Sequence, residues 1–209
     1  MVENKSGEAD DLELLRAWRA GDRCAGDELL CRYFDQVYRF FRNKVDGDVE
    51  DLVQRTFVGC IEGRDRFRER SSFRTYLFAI AHNVLRDRFR RAQRVPLDLD
   101  ALSVVDLGAG PLSIIDARGE EMLLIQALRR IPVESQVLLE LYYWEDLAVA
   151  QLAEIVEVSL EAARTRLRRA RQQLEASIQA LRASPELVAS TLSDLESWAR
   201  RLRGRIDSG

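Results

Sequence analysis

Apolar residues between positions 160 and 174 recur at intervals of three and four, the spacing of one face of an α-helix. Another face of this segment is basic, because residues 164–171 contain five arginines and no acidic residue. Ser159 stands just before the pattern, where it can cap the helix N-terminus. A shorter apolar period runs from Leu147 to Val156, and two residues separate the two segments. Two helices joined by a tight turn, with arginines on the second, are typical of a helix-turn-helix that binds DNA.

Helical spacing continues through nearly the whole chain, whose 209 residues include 11 glycines and 4 prolines. The sequence therefore predicts an all-α fold. The spacing fails around a Gly-Ala-Gly-Pro run with acidic residues on both sides, where we expect a flexible acidic linker. We expect two small helical domains, the second containing the helix-turn-helix, and an extra C-terminal helix. The predicted boundaries are 10–94 for the first domain, 95–116 for the linker, 117–183 for the second domain and 184–209 for the C-terminal extension.

The net charge of −3 is low for a nucleic-acid-binding protein, but the charges are strongly segregated along the chain. Residues 64–94 contain ten arginines and three acidic residues, whereas residues 95–121 contain six acidic residues and one arginine. Two basic patches separated by an acidic connector favour a protein that grips DNA at two places over a general polycation.

The chain shows no signal peptide and no apolar run long enough to span a membrane, which predicts a cytoplasmic protein without a membrane partner. Its three cysteines, Cys24, Cys31 and Cys60, form no C-x-x-C pair. We expect buried free thiols in a reducing compartment rather than a metal site shared with His82, the single histidine. No catalytic, cofactor-binding or metal-binding residue is predicted. The chain is therefore expected to be neither an enzyme nor a binder of a small-molecule substrate.

Aromatic and basic residues alternate within the segment 71–91. Flat rings stack on unpaired bases and arginines follow the phosphate backbone, so this mixture is typical of single-strand binding. The alternative is that the rings belong to the core, as the helical spacing of Phe73, Leu77, Ile80 and Val84 indicates. The segment alone does not decide between the two interpretations.

Three motifs follow one another along the chain. The first is DVEDLVQRTF at 48–57, and the second is SFRTYLFAIAHN at 72–83, with paired arginines beyond it. The third combines LRRIP at 128–132, EDL at 145–147 and the arginine-rich segment that starts at Ser159. In this order, with a linker between the second and third, the chain resembles an extracytoplasmic-function sigma factor of the sigma-70 family. The resemblance covers residues from about 10 to 183.

The resemblance implies a bacterial transcription initiation factor that binds core RNA polymerase, directs it to specific promoters and promotes strand opening. The first motif then binds polymerase through Asp48, Asp51, Gln54, Arg55, Thr56 and Phe57. The second contacts the −10 element through Phe73, Arg74, Tyr76, Asn83, Arg86, Arg90 and Arg91. The third contacts the −35 duplex through Arg164, Thr165, Arg166, Arg168 and Arg171. The implied partners are core RNA polymerase and promoter DNA.

Two departures from the family pattern bear on the structure. The turn between the last two helices carries Glu157 where the family usually has glycine, and a positive φ there costs about 1 kcal/mol. The helix before that turn starts at Ala148, which lacks the usual capping hydroxyl.

The C-terminal extension has an apolar face of its own, formed by Leu187, Leu192, Leu195, Trp198 and Leu202. It either extends the core of the second domain, covers a partner-facing surface in cis in place of an anti-sigma factor, or adds phosphate contacts through its arginines. The sequence leaves these three roles open.

Two other functional classes compete with this interpretation. One is a LuxR-like helix-turn-helix regulator with a helical sensing domain, which predicts a dimer and a ligand pocket. The other is an adaptor whose basic faces are merely solvated, and it predicts no salt-dependent DNA binding.

Overall fold

A computed structural model describes residues 3–92, 98–107 and 120–181. These residues form helices and connecting turns, with one isolated β-bridge and no strand among them, so the all-α prediction is confirmed. The first four helices are α1 (Glu3–Arg19), α2 (Arg23–Arg42), α3 (Val49–Gly63) and α4 (Phe73–Ala92). The last four are α5 (Glu120–Leu128), α6 (Val133–Tyr143), α7 (Val149–Ile155) and α8 (Leu160–Ala180). The C-terminal extension lies outside the described residues.

Helices α7 and α8 form the predicted helix-turn-helix. Ser159 caps α8, because its hydroxyl accepts a hydrogen bond of 3.2 Å from the amide of Ala162. Glu157 adopts a φ of 53°, so the turn does require the left-handed conformation that glycine adopts more easily. At the start of α7, Ala148 makes no side-chain cap bond, and the side-chain oxygen of Gln151 accepts from the amide of Ala148 itself at 2.9 Å. Leu160, at the start of the apolar stripe, is exposed.

Part of the segment predicted to be a flexible linker is folded. Leu99 and Val104 are buried in the core, so residues 98–107 have fixed contacts. The amide of Val133 donates to the carbonyl of Leu102 at 3.0 Å, which ties the segment to the start of α6. Residues 98–107, which the sequence predicts to be part of a flexible linker, therefore pack against the core. Leucine and valine placed between the aspartates account for the difference, because they gain by leaving water.

The two helical halves of the chain share one continuous hydrophobic core. Helix α4 of the first half packs against α7 of the second. The side chain of Lys44, just after α2, also joins the two halves, because it is fully buried and forms an ion pair with Glu140 of α6. The Lys44 ammonium also donates to the carbonyl of Phe40 at 2.6 Å, and Gln136 donates to Glu140 at 2.8 Å. Burial lowers the pKa of Lys44 and raises the pKa of Glu140, and the attraction between the two charges opposes both shifts.

Two further polar clusters cross the same interface. Glu145 accepts from Arg39 at 2.9 Å and from Arg74 at 2.7 Å, so it joins α2 and α4 to the turn after α6. His82 lies 2.9 Å from Glu134. Burial raises the pKa of Glu134, but the hydrogen bond with His82 and the nearby positive charges, including those of Arg86 and Arg166, together outweigh burial and lower the pKa of this carboxyl. The halves are thus held by matched charges as well as by apolar contacts.

The cysteines differ from the prediction in two of three cases. Cys60 is buried, and burial raises the pKa of its thiol to about 12, but Cys24 and Cys31 are exposed on α2. Among the described ranges, no helix has the length and apolar character needed to cross a membrane.

The buried pair gives the first prediction. Glu140→Ala leaves the Lys44 ammonium without its partner in a place that water does not reach, and we expect the free energy of unfolding to fall by about 3–5 kcal/mol. The double variant Lys44→Met with Glu140→Leu removes both charges and should recover most of this loss. Urea denaturation followed by circular dichroism measures the difference.

The matched control is Glu154→Ala, which removes an exposed carboxylate from the neighbouring α7. It should change the free energy of unfolding by less than about 0.5 kcal/mol. If Glu140→Ala costs no more than this control, the pair does not hold the two halves together.

Candidate functional site

The predicted polymerase-binding residues occupy α3 and its N-terminus. Asp51 and Gln54 are exposed, and Arg55 lies 3.8 Å from Asp51 in an ion pair one helical turn apart. Asp48 stands at the N-cap position with a φ of 54°, and its carboxylate is 3.5 Å from Arg88 of α4. Thr56 was predicted to face a partner, and this is wrong for the structure. Its side chain is buried, and its hydroxyl donates to the carbonyl of Leu52 at 2.8 Å.

An exposed apolar patch beside these residues was missed by the sequence analysis. Phe34 of α2 is 48% exposed, and its ring stacks on Phe57 of α3 with centroids 6.2 Å apart. Tyr38 also stacks with Phe34, with centroids 6.4 Å apart, and Val58 and Ile61 of α3 are exposed as well. We call Phe34, Tyr38, Phe57, Val58 and Ile61 the α2–α3 apolar patch. The helical spacing of these residues is also that of core residues, so no signal in the sequence marked them as exposed.

The loop between α3 and α4 borders an open surface cleft of about 420 Å³. Tyr76 of α4 is half-buried in its wall, and the ring of Phe67 stacks on it with centroids 4.5 Å apart. The remaining lining is mostly basic: Gly63, Arg66, Arg68, Arg70 and Ser71. The cleft therefore combines flat rings with cationic side chains, which is what an unpaired base and its phosphates require. Phe67 and the loop arginines were not predicted as site residues, because the loop shows no periodic pattern.

The other predicted residues of α4 divide into exposed and engaged ones. Asn83, Arg86 and Arg90 are exposed at spacings that place them on one side of the helix, and the adjacent Arg91 is also exposed. Phe73 is buried in the core, so its predicted contact with DNA is wrong for this conformation.

Arg74 is mostly buried, because its guanidinium is directed at Glu145 rather than at solvent. Two of the exposed arginines also have acidic neighbours, since Arg86 lies 3.8 Å from Glu134 and Arg90 lies 2.8 Å from Asp87.

The predicted arginines of α8 also have different surroundings. Arg168 and Thr165 are exposed, and Arg164 is exposed beside Glu161, with which it pairs. Arg166 is half-buried, 3.7 Å from Asp100 of the folded linker segment. Arg171 lies over the rings of Tyr142 and Tyr143, with centroid distances of 5.1 and 5.5 Å. The exposed basic face of α8 therefore includes Arg164 and Arg168, which lie one helical turn apart.

The cleft depends on a glycine at the end of α3. A Cβ atom at Gly63 would lie far inside van der Waals contact of the Tyr76 hydroxyl, whereas the ring carbon that carries the hydroxyl would be 3.5 Å away. We expect Gly63→Ala to displace Tyr76 and to destabilise the protein by about 1–3 kcal/mol through overpacking. Adding Tyr76→Phe removes the clashing hydroxyl and should restore stability. The unfolding midpoint in urea measures both, and equal midpoints for Gly63→Ala and its Tyr76→Phe double variant would contradict the clash.

Comparison with known proteins places this geometry in a family. The sigma-70 region 2 model matches residues 29–95, and the sigma-70 region 4 model matches residues 121–174. The ECF RNA polymerase sigma factor SigM of Mycobacterium tuberculosis is 31% identical over 172 residues, covering 80% of this chain and 84% of the relative. The ECF RNA polymerase sigma-E factor of Escherichia coli K12 is 27% identical over 187 residues, covering 84% and 98%.

Two solved structures share the fold of this chain. CnrH, determined in complex with the cytosolic domain of CnrY, matches with a TM-score of 0.59 at 26% identity, covering 82% of this chain and 98% of CnrH. RpoE of Bartonella quintana, determined with the anti-sigma factor NepR, shares the fold with a TM-score of 0.55 at 20% identity, covering 75% of this chain and 98% of RpoE. The motifs, the helix-turn-helix and these relatives together show that the chain belongs to the extracytoplasmic-function sigma factors of the sigma-70 family.

Proposed function

We propose that this transcription initiation factor divides its work among three surfaces, one for core RNA polymerase and two for promoter DNA. The observation that carries the proposal is the cleft between α3 and α4, where the stacked rings of Phe67 and Tyr76 lie beside three arginines. Stacking on an aromatic ring contributes about 1–3 kcal/mol per base and requires that the base leave the duplex. Binding in this cleft therefore favours the melted −10 strand over paired DNA.

The face of α4 beyond the cleft continues the single-strand path. Asn83 can hydrogen-bond to a base edge through its amide, and Arg86, Arg90 and Arg91 supply charge for the phosphates. These side chains are exposed, so DNA can reach them without any change in the helix. Arg74 differs, because it becomes available only after it separates from Glu145.

The second DNA surface is the exposed face of α8. As the second helix of a helix-turn-helix, α8 has the position that enters the major groove in this motif. Arg164 and Arg168 present guanidinium groups one turn apart, and an arginine there can donate two hydrogen bonds to guanine. Arg171 is assigned to structure instead, since its guanidinium is held over two tyrosine rings.

The polymerase surface combines the α2–α3 apolar patch with the polar residues at its edge. Exposed Phe34, Val58 and Ile61 on two packed helices, with the stacked rings of Tyr38 and Phe57 beside Phe34, favour a protein interface over a solvated surface. Gln54, Arg55 and Asp51 lie on the same helix as Phe57 and would form the polar rim. We assign the whole surface, not the charged residues alone, to core RNA polymerase.

The relatives are sigma factors, which are regulatory proteins rather than enzymes, and we propose a non-enzymatic role here in the cytoplasm, where RNA polymerase acts. The solved relatives CnrH and RpoE were each determined with a bound protein, CnrY and the anti-sigma factor NepR respectively. Regulation of this chain by an anti-sigma factor, or by residues 184–209 in cis, stays a prediction. Truncation at Ser184 distinguishes the roles of the extension, because only inhibition in cis predicts a rise in transcription activity.

Core binding tests the assignment of α3. We expect Gln54→Ala combined with Arg55→Ala to weaken binding to core RNA polymerase at least about tenfold, which corresponds to about 1.4 kcal/mol. Co-purification with core polymerase, followed by run-off transcription on a genomic promoter pool, measures binding and activity together. Gln172→Ala with Glu175→Ala is the matched control, since it truncates two exposed polar residues on α8. Unchanged co-purification at unchanged helicity would refute the polymerase surface.

Promoter templates test the two DNA surfaces separately. Arg168→Ala should lower the affinity of closed complexes, because one bidentate guanine contact is worth about 1–3 kcal/mol. Asn83→Ala should instead slow strand opening, and a template with a pre-melted bubble should restore its rate. Run-off transcription on duplex and bubble templates compares the two variants. If the bubble template restores transcription by Arg168→Ala but not by Asn83→Ala, the roles of the two surfaces are assigned the wrong way round.

A further inference from the structure

The loop that lines the cleft is held from outside by two arginines of α1. The Arg19 guanidinium donates to the carbonyl of Arg64 at 3.1 Å from Nε and at 2.6 Å from Nη2. The same Nη2 also donates to the carbonyl of Phe67, and Nη1 donates to Glu69 at 2.7 Å. Arg16 donates to the other oxygen of Glu69, at 2.7 Å from Nη2 and 3.2 Å from Nε. We call Arg16, Arg19 and Glu69 the α1 clamp.

The clamp opposes two features that would otherwise loosen this loop. Glu69 has a φ of 54°, a conformation that side chains with a Cβ atom rarely adopt, so the loop needs other interactions to keep it. The loop also carries four arginines, at positions 64, 66, 68 and 70, which repel one another. The Glu69 carboxylate lies between the Arg16 and Arg19 guanidinium groups. These ion pairs hold the strained residue, and the negative charge reduces the repulsion among the loop arginines. The hydrogen bond from Arg16, together with the charges of both arginines, lowers the pKa of Glu69 and keeps it ionised.

The clamp also connects directly to the stacked rings. Arg19 binds the backbone of Phe67, and the ring of Phe67 forms one side of the cleft against Tyr76. Each of the three nitrogens of the Arg19 guanidinium already donates to an acceptor of the loop. Arg19 is therefore committed to the protein and does not face the cleft as a phosphate ligand.

We propose that Arg16, Arg19 and Glu69 are positioning residues that hold the loop between α3 and α4 in one shape. In this shape the cleft can receive one unpaired base between Phe67 and the arginines that line the cleft. The inference rests on the proposed function, since it assigns a role in capture of the melted −10 strand. The clamp acts through the loop and does not touch the base. It adds α1, which carries none of the family motifs, to the machinery of promoter opening.

The test compares Arg19→Gln and Glu69→Gln with Arg23→Gln, a control that removes one exposed positive charge at the start of α2. Hydrogen exchange on the free full-length protein reports whether residues 64–72 are held. We expect faster exchange of these amides in both clamp variants, with α2 and α4 unchanged, and no change in the control. Unchanged exchange at residues 64–72 would overturn the clamp whatever its effect on transcription.

The second measurement uses the holoenzyme and fork-junction DNA of a promoter recovered by run-off transcription. An abasic site is placed at each −10 position of the non-template strand in turn. At one position the wild type should lose about 5- to 150-fold in affinity, the range expected for one stacked base. Arg19→Gln and Glu69→Gln should lose most of this discrimination, whereas Arg23→Gln should keep it.

The remaining outcomes separate the inference from the proposed function. If clamp variants weaken every template equally and flatten the salt dependence, Arg19 contacts phosphate directly and the positioning role is wrong. If the wild type shows no abasic position with a large effect, base capture in the cleft is wrong, and hydrogen exchange still decides whether the clamp holds the loop.

Glu69→Gly relieves the backbone strain without restoring the carboxylate. If Glu69→Gly still distinguishes intact from abasic DNA as well as the wild type does, the ion pairs of Glu69 do not position the loop.

Discussion

The ion pair between Lys44 and Glu140 is the interaction on which the arrangement of the two helical halves depends. Neither charge is reached by water, so each side chain is tolerable only while the other faces it. Apolar contacts, such as those between α4 and α7, still permit one helix to slide slightly along the other. The ion pair does not, because Lys44 also donates to the Phe40 carbonyl and Glu140 also accepts from Gln136. The pair therefore specifies how α6 lies against α2, and the neighbouring clusters around Glu145 and Glu134 follow from that placement.

Several of the arginines that we propose for contacts with promoter DNA face acidic residues of the protein itself. Arg74 faces Glu145, Arg86 lies near Glu134, and Arg166 lies near Asp100. Acidic side chains of the protein thus occupy positions beside arginines that phosphates would take on DNA. The arginine face at Arg164 and Arg168 and the cleft at Tyr76 stay accessible. The two proposed DNA surfaces therefore differ. Arg74 must separate from Glu145 before it can contact DNA, whereas Arg168 is already exposed.

Backbone strain is concentrated at the boundaries of these surfaces. Among the described residues, the non-glycine residues with positive φ are Asp48, Glu69, Asp146 and Glu157. All of them except Asp146 lie just before a helix that carries predicted site residues. Glu157 permits the short turn before α8, and Glu69 turns the loop over the cleft. In the second case two arginines hold the strained residue, which links the strain to the shape of the cleft.

The sequence by itself determined the helices, the helix-turn-helix and its cap, because hydrophobic spacing and capping are local properties of the chain. It also indicated which segments have the charged and aromatic residues suited to DNA binding, since these residue types can be read directly from the chain. It did not determine which residues of each helix face solvent. Thr56 and Phe73 are buried, whereas Phe34 and Ile61 are exposed. That choice, the folding of residues 98–107, and the partners of Arg74 and Glu69 depend on contacts between segments far apart in the chain. Only the tertiary structure decides them, because burial and charge pairing are properties of what packs together rather than of neighbouring residues.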